Sequence, residues 1–318
     1  MKAFQYGRPK NLAEATKLRG TYKAGGIDLL TRMKRGTLAP KSLIEIGTLQ
    51  EISFAPYLKN GDLWIGAALP LAGLLEAKQK IPSGILQAVA GTATPQIRNT
   101  ATLVGNLLQE KRCVYLCDPE ISCLARGGDH CPAREGHHAD LAIFEPAACL
   151  ATQSSNLAPI LCALDAKFVE IKGKNPLIPL RAYYQAWRKG GSRPSTPLIH
   201  SVFLPKESLR GGSAHHEIRV KQSFDWAIAT AAAHILLEGD TIQKVALWLG
   251  SVSDIPYRAR VVEQALQGSS SPNFKASAKL LSQKASLHSP SQEWKRRMAI
   301  LCAEKALQKA YANAKENR

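Results

Sequence analysis

Five of the chain's seven cysteines fall between Thr94 and Cys149, at Cys113, Cys117, Cys123, Cys131 and Cys149. Thiolates are the ligands of iron–sulfur clusters and of structural zinc, so their concentration in one stretch points to a metal. They are too dispersed for a zinc ribbon, which needs two tight CxxC knuckles. They also miss the ferredoxin spacing, with its closely set cysteines and following proline. Gly127, Gly128 and Pro132 lie between them and mark an irregular loop. A long loop wrapped around an iron–sulfur cluster fits, because cluster bonds replace the missing core. Two plainer readings compete with it. The thiols could be ordinary buried cysteines of a reducing compartment, or His130, His137 or His138 could complete a mixed zinc site. Spacing alone selects the nearest four, Cys113, Cys117, Cys123 and Cys131.

The run TPQIRNTATLVGN directly before the cysteines is turn-rich and ends in Gly105–Asn106. A second glycine turn lies earlier. Thr21 to Ala24 reads as a strand, Gly25–Gly26 as the turn, and Asp28 to Arg35 as a helix with Leu29, Leu30 and Met33 on one face. Strand, two glycines and helix start form an anion-binding arrangement, since glycine lets the backbone approach and first-turn N–H groups point at the ligand. An ordinary strand–helix turn has the same local sequence.

These residues need elements to position them. A length of 318 residues suggests about two domains, or three small ones. Short strands and helices alternate at the start: Phe4 and Tyr6 before Pro9, a helix capped by Asn11, and a strand over Ser42 to Ile46. Leu63–Ala68 reads as a strand, and Leu71–Lys78, Gly84–Val89 and Leu157–Leu164 as helices. Phe168–Ile171 and Ile199–Leu204 read as strands, with a Gly/Ser/Pro-rich loop at Gly190–Pro197 between them. Glu207–His215 reads as a polar linker. Beyond it, Ile218–Val220, Ala227–Leu237 and Ile242–Leu249 read as three antiparallel strands, followed by helices at Arg258–Leu266, Phe274–Ser282 and Gln292–Tyr311. Glu238–Gly239–Asp240 is a hairpin corner. No Ser/His/Asp arrangement, paired carboxylates or Walker sequence occurs there, so this last part reads as structural and interface-forming.

The net charge is +17 and the pI about 9.7. The basic residues are scattered, only 6% of the chain is aromatic, and no basic run is interleaved with stacking rings. An acidic protein partner therefore suits the charge better than nucleic acid. No run of eighteen apolar residues predicts a membrane span. The opening residues have no apolar h-region of a secretory signal, and an odd cysteine count argues against a disulfide scaffold.

Taken together, these segments resemble the FAD-binding middle subunits of the molybdenum hydroxylases, the xanthine dehydrogenase family. Ala24–Gly25–Gly26–Ile27–Asp28–Leu29–Leu30 resembles the family's first flavin loop, usually AGG followed by Thr or Ser. Pro95 to Thr102 with Gly105–Asn106–Leu107 resembles its second, PQIRN-x-AT-x-GGN. Ser155–Asn156–Leu157–Ala158 resembles its SDLA segment. Leu249–Gly250–Ser251–Val252 with Arg258–Ala259 resembles the LGGVA…RA pattern of its C-terminal part. The likeness is strongest to the branch of bacterial aldehyde oxidoreductases and 4-hydroxybenzoyl-CoA reductases, whose middle subunit carries an extra [4Fe–4S] cluster.

The resemblance implies an α+β fold: a two-part flavin-binding module over residues 1–55 and 56–206, with an iron–sulfur loop at 109–149, then a C-terminal domain over 213–318 built on a three-stranded antiparallel sheet with helices. It implies FAD held by Ala24, Gly25, Gly26, Ile27, Asp28, Leu29, Thr102, Gly105, Asn106 and Asn156. It assigns the cluster to Cys113, Cys123, Cys131 and Cys149, leaving Cys117 aside. It also implies a molybdopterin-bearing large subunit and a [2Fe–2S] small subunit as partners, with substrate chemistry on the former and no catalytic acid or base here. Three positions depart from the pattern: Ile27 for Thr or Ser, Val104 for the first of two glycines, and Asn156 for Asp. They motivate an alternative, an assembly subunit without FAD. A basic zinc protein that binds nucleic acid is the other alternative. The expected compartment is the cytoplasm, or the periplasm if a partner carries the export signal.

Overall fold

The computed structural model describes residues 1–171, 177–190, 198–221 and 224–317. The loop expected at Gly190–Pro197 lies mostly outside them. Three sheets follow one another along the chain. The first is parallel. Strands β1 (Gln5–Gly7) and β2 (Thr21–Lys23) both pair with β3 (Ser42–Glu45), which lies between them. Asn11 caps the first helix as expected, accepting from the Glu14 N–H at 2.8 Å, but that helix ends after Ala15.

The second sheet is antiparallel, with strands in the order β4 (Tyr57–Lys59), β5 (Asp62–Gly66), β8 (Ile199–Leu204), β6 (Lys167–Glu170) and β7 (Leu177–Pro179). Its core takes one apolar face from each neighbour: Leu63 and Ile65 from β5, Phe168 from β6, and the wholly buried helix Leu157–Ala163. Trp187 and Tyr184, a helical turn apart on Leu180–Gly190, are fully buried and stacked, with ring centroids 6.2 Å apart.

The third sheet runs in the order β12 (Tyr257–Arg258), β11 (Thr241–Gly250), β10 (Ala227–Glu238) and β9 (Gly212–Arg219). The three expected strands are present, and the two-residue β12 adds a fourth. One expectation shifts: β9 begins at Gly212, inside the stretch read as a linker, and Ser213, Ala214 and His215 are buried. Polar residues concealed a strand whose inward face is covered by a helix. That helix, Glu293–Glu316, lays Ala303, Ala306 and Ala310 against the sheet. A Cβ on Gly212 would stand 2.2 Å from the Ala310 carbonyl oxygen, so small residues on both sides set the close approach.

The cysteine stretch has little regular structure: a four-residue helix at Val114–Cys117 and 3₁₀ turns at Leu124–Arg126 and Pro132–Arg134. Backbone bonds to the C-terminal part hold it. The Ile143 and Phe144 N–H groups donate to the Val252 carbonyl, and the Ser286 N–H donates to the Ile143 carbonyl. Phe144 stacks on Tyr257 with ring centroids 4.7 Å apart. Among the described residues, no helix is long and apolar enough to cross a membrane.

Candidate functional site

All three sheets contribute to one cleft of about 740 Å³. Ala24, Gly25, Gly26, Ile27, Asp28 and Leu29 form one wall, and Thr102, Gly105, Asn106 and Asn156 form the other. Every residue that the family pattern assigned to the flavin therefore lines the same cavity. Two glycines explain how the walls meet. A Cβ on Gly25 would lie 2.0 Å from the Thr100 carbonyl oxygen, so the two loops touch backbone to backbone only because residue 25 lacks a side chain. Gly26 has φ +78° and starts the helix Ile27–Arg35. No side chain caps that helix, whereas Thr94 and Thr102 cap the short helices opposite. An uncapped N-terminus opening on a cleft leaves N–H donors and a positive dipole end for an anionic group.

The three departures from the family pattern leave the cavity open. Ile27 stands partly exposed at the rim. Val104 is buried in the main core, and its N–H donates to the Ala67 carbonyl at 3.0 Å. Asn156 Nδ2 donates to Glu217 Oε2 at 2.9 Å, so its amide is held from behind. Asn106 Oδ1 accepts from Ser155 Oγ at 2.6 Å. At another edge, Lys23 and the Tyr6 hydroxyl both bond to Glu45, at 2.6 and 2.5 Å. Burial alone would push the Glu45 carboxyl up, but these bonds and the Gly47 N–H hold it below the ordinary carboxylate range.

The sequence reading missed part of this cleft. Tyr22, Ile46 and Leu198 line one end, and Phe224, Trp226 and Ser251 reach in from the C-terminal part, which was expected to be structural and interface-forming. Phe224 and Trp226 are half-exposed, and each lies over an arginine from a different loop: Arg98 at 6.0 Å and Arg112 at 4.5 Å. Two aromatic rings left outside a core, just before a strand, were the available signal. Ser251 has φ +62°, a left-handed conformation that suits the family's usual glycine there.

The thiols form a second feature. A tight turn brings Cys123 towards Cys131: the Leu124 N–H donates to the His130 carbonyl, and the Gly128 N–H donates to the Cys123 carbonyl. Gly128 has no room for a side chain, since a Cβ would lie 2.8 Å from the Cys123 nitrogen. The Ala142 N–H donates to the Leu150 carbonyl, which returns Cys149 to the same patch. Cys131, Leu141 and Leu150 form its apolar floor, with Cys113 packed against it. Burial pushes the Cys113 and Cys149 thiols up, and Cys123 and Cys131 lie near enough to both to add a smaller effect of the same sign. Backbone N–H groups of Tyr115 and Leu116 address the Cys113 sulfur, and that of Ala151 addresses Cys149.

Cys117 goes elsewhere. It ends the helix Val114–Cys117, but Cys113 is the extended N-cap, with φ −158° and ψ 138°, so the two do not share a helical face. Cys117 instead lines a small cavity with Arg35 and Arg126. Among the described residues, no three His, Cys, Asp or Glu side chains are placed to hold a single metal ion. His137 pairs with Asp140 at the surface and His138 faces the Ala133 carbonyl, so neither completes a one-ion zinc site.

Residues 2–207 match the family described as FAD binding domain in molybdopterin dehydrogenase. Residues 214–310 match the CO dehydrogenase flavoprotein C-terminal domain. The chain is 32% identical to the aldehyde oxidoreductase FAD-binding subunit PaoB of Escherichia coli K12, covering 91% of this chain and 97% of that one. It is 24% identical to the xanthine dehydrogenase FAD-binding subunit of Escherichia coli O157:H7, over 82% of this chain and 78% of that one. Its fold superposes on a chain of the carbon monoxide dehydrogenase from Hydrogenophaga pseudoflava with a TM-score of 0.74, at 21% identity, covering 98% and 99% of the two chains.

Proposed function

Because the chain belongs to the FAD-binding subunits of the molybdenum hydroxylases, we propose that it carries electrons through two adjacent centres, a [4Fe–4S] cluster on Cys113, Cys123, Cys131 and Cys149 and an FAD in the cleft. The observation that supports this most is the continuity of the two sites. Arg112 lines the flavin cleft, and the next residue, Cys113, faces the thiol patch. When bound, the cluster passes single electrons and the flavin converts them to pairs.

The chain's own residues hold and insulate these groups. The open first turn at Ile27–Leu29 and the Gly25–Gly26 backbone would receive the FAD diphosphate. Thr102, Gly105, Asn106 and Asn156 would line the opposite side, with Asn156 oriented by Glu217. Phe224 and Trp226 would cover the mouth. Leu141 and Leu150 would keep water from the cluster. No general acid or base is required, because substrate oxidation would take place on a molybdopterin-bearing large subunit. A [2Fe–2S] small subunit would deliver the electrons. In this reading residues 1–55 and 56–206 form the flavin module, and residues 213–318 brace the cysteine loop and complete the cleft.

One preparation tests the proposal. The complex is purified anaerobically, its absorbance spectrum recorded, and flavin and iron measured after denaturation. About one FAD per chain is expected, with four irons beyond those carried by the [2Fe–2S] subunit. Those four extra irons without flavin would favour the assembly-subunit alternative, and a preparation with neither would sink the proposal.

A further inference from the structure

Lys111 is the buried cation nearest in sequence to the thiol patch, and it is only 4% exposed. Arg112 pairs antiparallel with Thr152, so the segment entering the thiol loop lies beside the segment leaving it. Lys111 therefore sits where both ends of that loop meet, two residues before Cys113 and across from the strand that follows Cys149. Its ammonium lies 3.5 Å from Asp254 Oδ2 and 5.8 Å from the centre of the Trp187 ring.

The group holds two cations and two anions, but only one of the anions is buried. Asp254 is 1% exposed, and its other oxygen already accepts two bonds from Arg188, at 2.9 and 2.6 Å. Two cations thus share one buried carboxylate. The remaining anion of the group, Glu145, bonds to Arg188 but keeps a largely exposed carboxylate. A buried ammonium with half a partner is costly unless another negative charge lies within reach. Thiolates ligating a cluster would supply one, and Lys111 draws the Cys149 thiol down against the burial that raises it.

From this geometry we infer that Lys111 is the counter-charge of the thiolate centre, a positioning residue that makes the centre easier to reduce. The inference rests on the proposed ligation by Cys113, Cys123, Cys131 and Cys149. Reduction adds one electron from the reductant to a centre already carrying anionic ligands. No bond to Lys111 forms or breaks and no proton moves. A fixed positive charge nearby favours the reduced form, since the potentials of such centres follow local net charge. Asp254 carries the opposite charge, so the two residues should act with opposite signs.

The test is a redox titration of the whole complex followed by electron paramagnetic resonance, with iron measured on every sample. Lys111→Met should retain its iron and show a lower midpoint potential, by about a tenfold change in the one-electron equilibrium, or about 59 mV. Lys111→Arg should stay near wild type. Asp254→Asn should shift the potential upward, and it decides the matter if Lys111→Met loses iron. An unchanged potential in iron-replete Lys111→Met, or shifts of the same sign in both variants, would overturn the inference while leaving the ligation intact. Wild-type complex whose iron does not exceed that of its [2Fe–2S] subunit would overturn the ligation, and the inference with it.

Discussion

Arg112 Nη2 lies 3.2 Å from Asp28 Oδ1. This ion pair ties the residue before Cys113 to the first turn of the helix that opens on the flavin cleft. Asp28 also accepts from the Glu110 N–H and pairs with Arg32, while the Arg112 guanidinium lies under Trp226. Both sites are therefore joined through one partly buried cluster of charges, and charge-assisted bonds of this kind contribute about 1.5–3 kcal/mol each when shielded from water.

Arg112→Ala should weaken FAD binding by about tenfold or more while leaving the iron content unchanged, because Cys113 keeps its own backbone contacts. Equilibrium dialysis of flavin alongside iron analysis checks this. Loss of iron with flavin affinity intact would show that Arg112 serves only the thiol loop.

Gly25→Ala should be enough to release the flavin. The added methyl would meet the Thr100 carbonyl oxygen at 2.0 Å, and a backbone atom cannot swing aside as a side-chain end can. The walls of the cleft must then separate, at a cost of about 1–3 kcal/mol in stability. The variant should purify folded but with little FAD. A Gly25→Ala protein that holds flavin at wild-type stoichiometry would contradict the proposed cradle.

Cys149→Ser and Cys117→Ser should behave oppositely. The first should lose most of the iron and the paramagnetic signal of the reduced cluster. The second should keep both, since Cys117 lines a separate cavity. Full iron in Cys149→Ser with none in Cys117→Ser would restore the nearest-neighbour ligand set.

A pH effect is expected at Lys295, which is 2% exposed and donates to the Asp140 carbonyl. Burial pulls its ammonium down to about 7, against a smaller opposing effect of Asp140. An unfolded lysine titrates near ~10.4, so between about pH 7 and pH 10 the unfolded chain holds a proton that the folded chain has released. Stability should rise with pH across that window. Below it both states are protonated, and the full cost of the buried charge remains. Lys295→Met should therefore flatten the rise and gain stability at pH 6, less about 1 kcal/mol for the lost hydrogen bond. Urea unfolding at pH 6 and pH 9 measures both, and parallel pH curves for variant and parent would refute the assignment.

Much of this architecture is legible in the sequence because it depends on local rules. Gly25–Gly26 between an extended run and an amphipathic one dictates a strand, a turn and a helix. Leu157–Ala163 is apolar throughout and is buried throughout. The Glu238–Gly239–Asp240 corner turns as its residues require. The two glycine-containing loops that line the cleft were legible for the same reason, since each is a short contiguous motif. The polar stretch at Glu207–His215 was misread because its burial depends on a helix some eighty residues later in the chain.

What only the tertiary structure decided concerns residues that meet across long sequence separations. Trp226 and Ser251 belong to the cleft because the third sheet packs beside the first two, a relation with no local signature. Cys117 lines another cavity, with Arg35 and Arg126, and Cys113 four residues earlier adopts an extended backbone rather than a helical one. Lys111 reads as one more scattered basic residue, and its burial against Asp254 appears only after a segment more than a hundred residues away folds over it. Sequence patterns report what neighbours along the chain prefer, whereas the charge balance of a buried site depends on which distant groups are brought together without water between them.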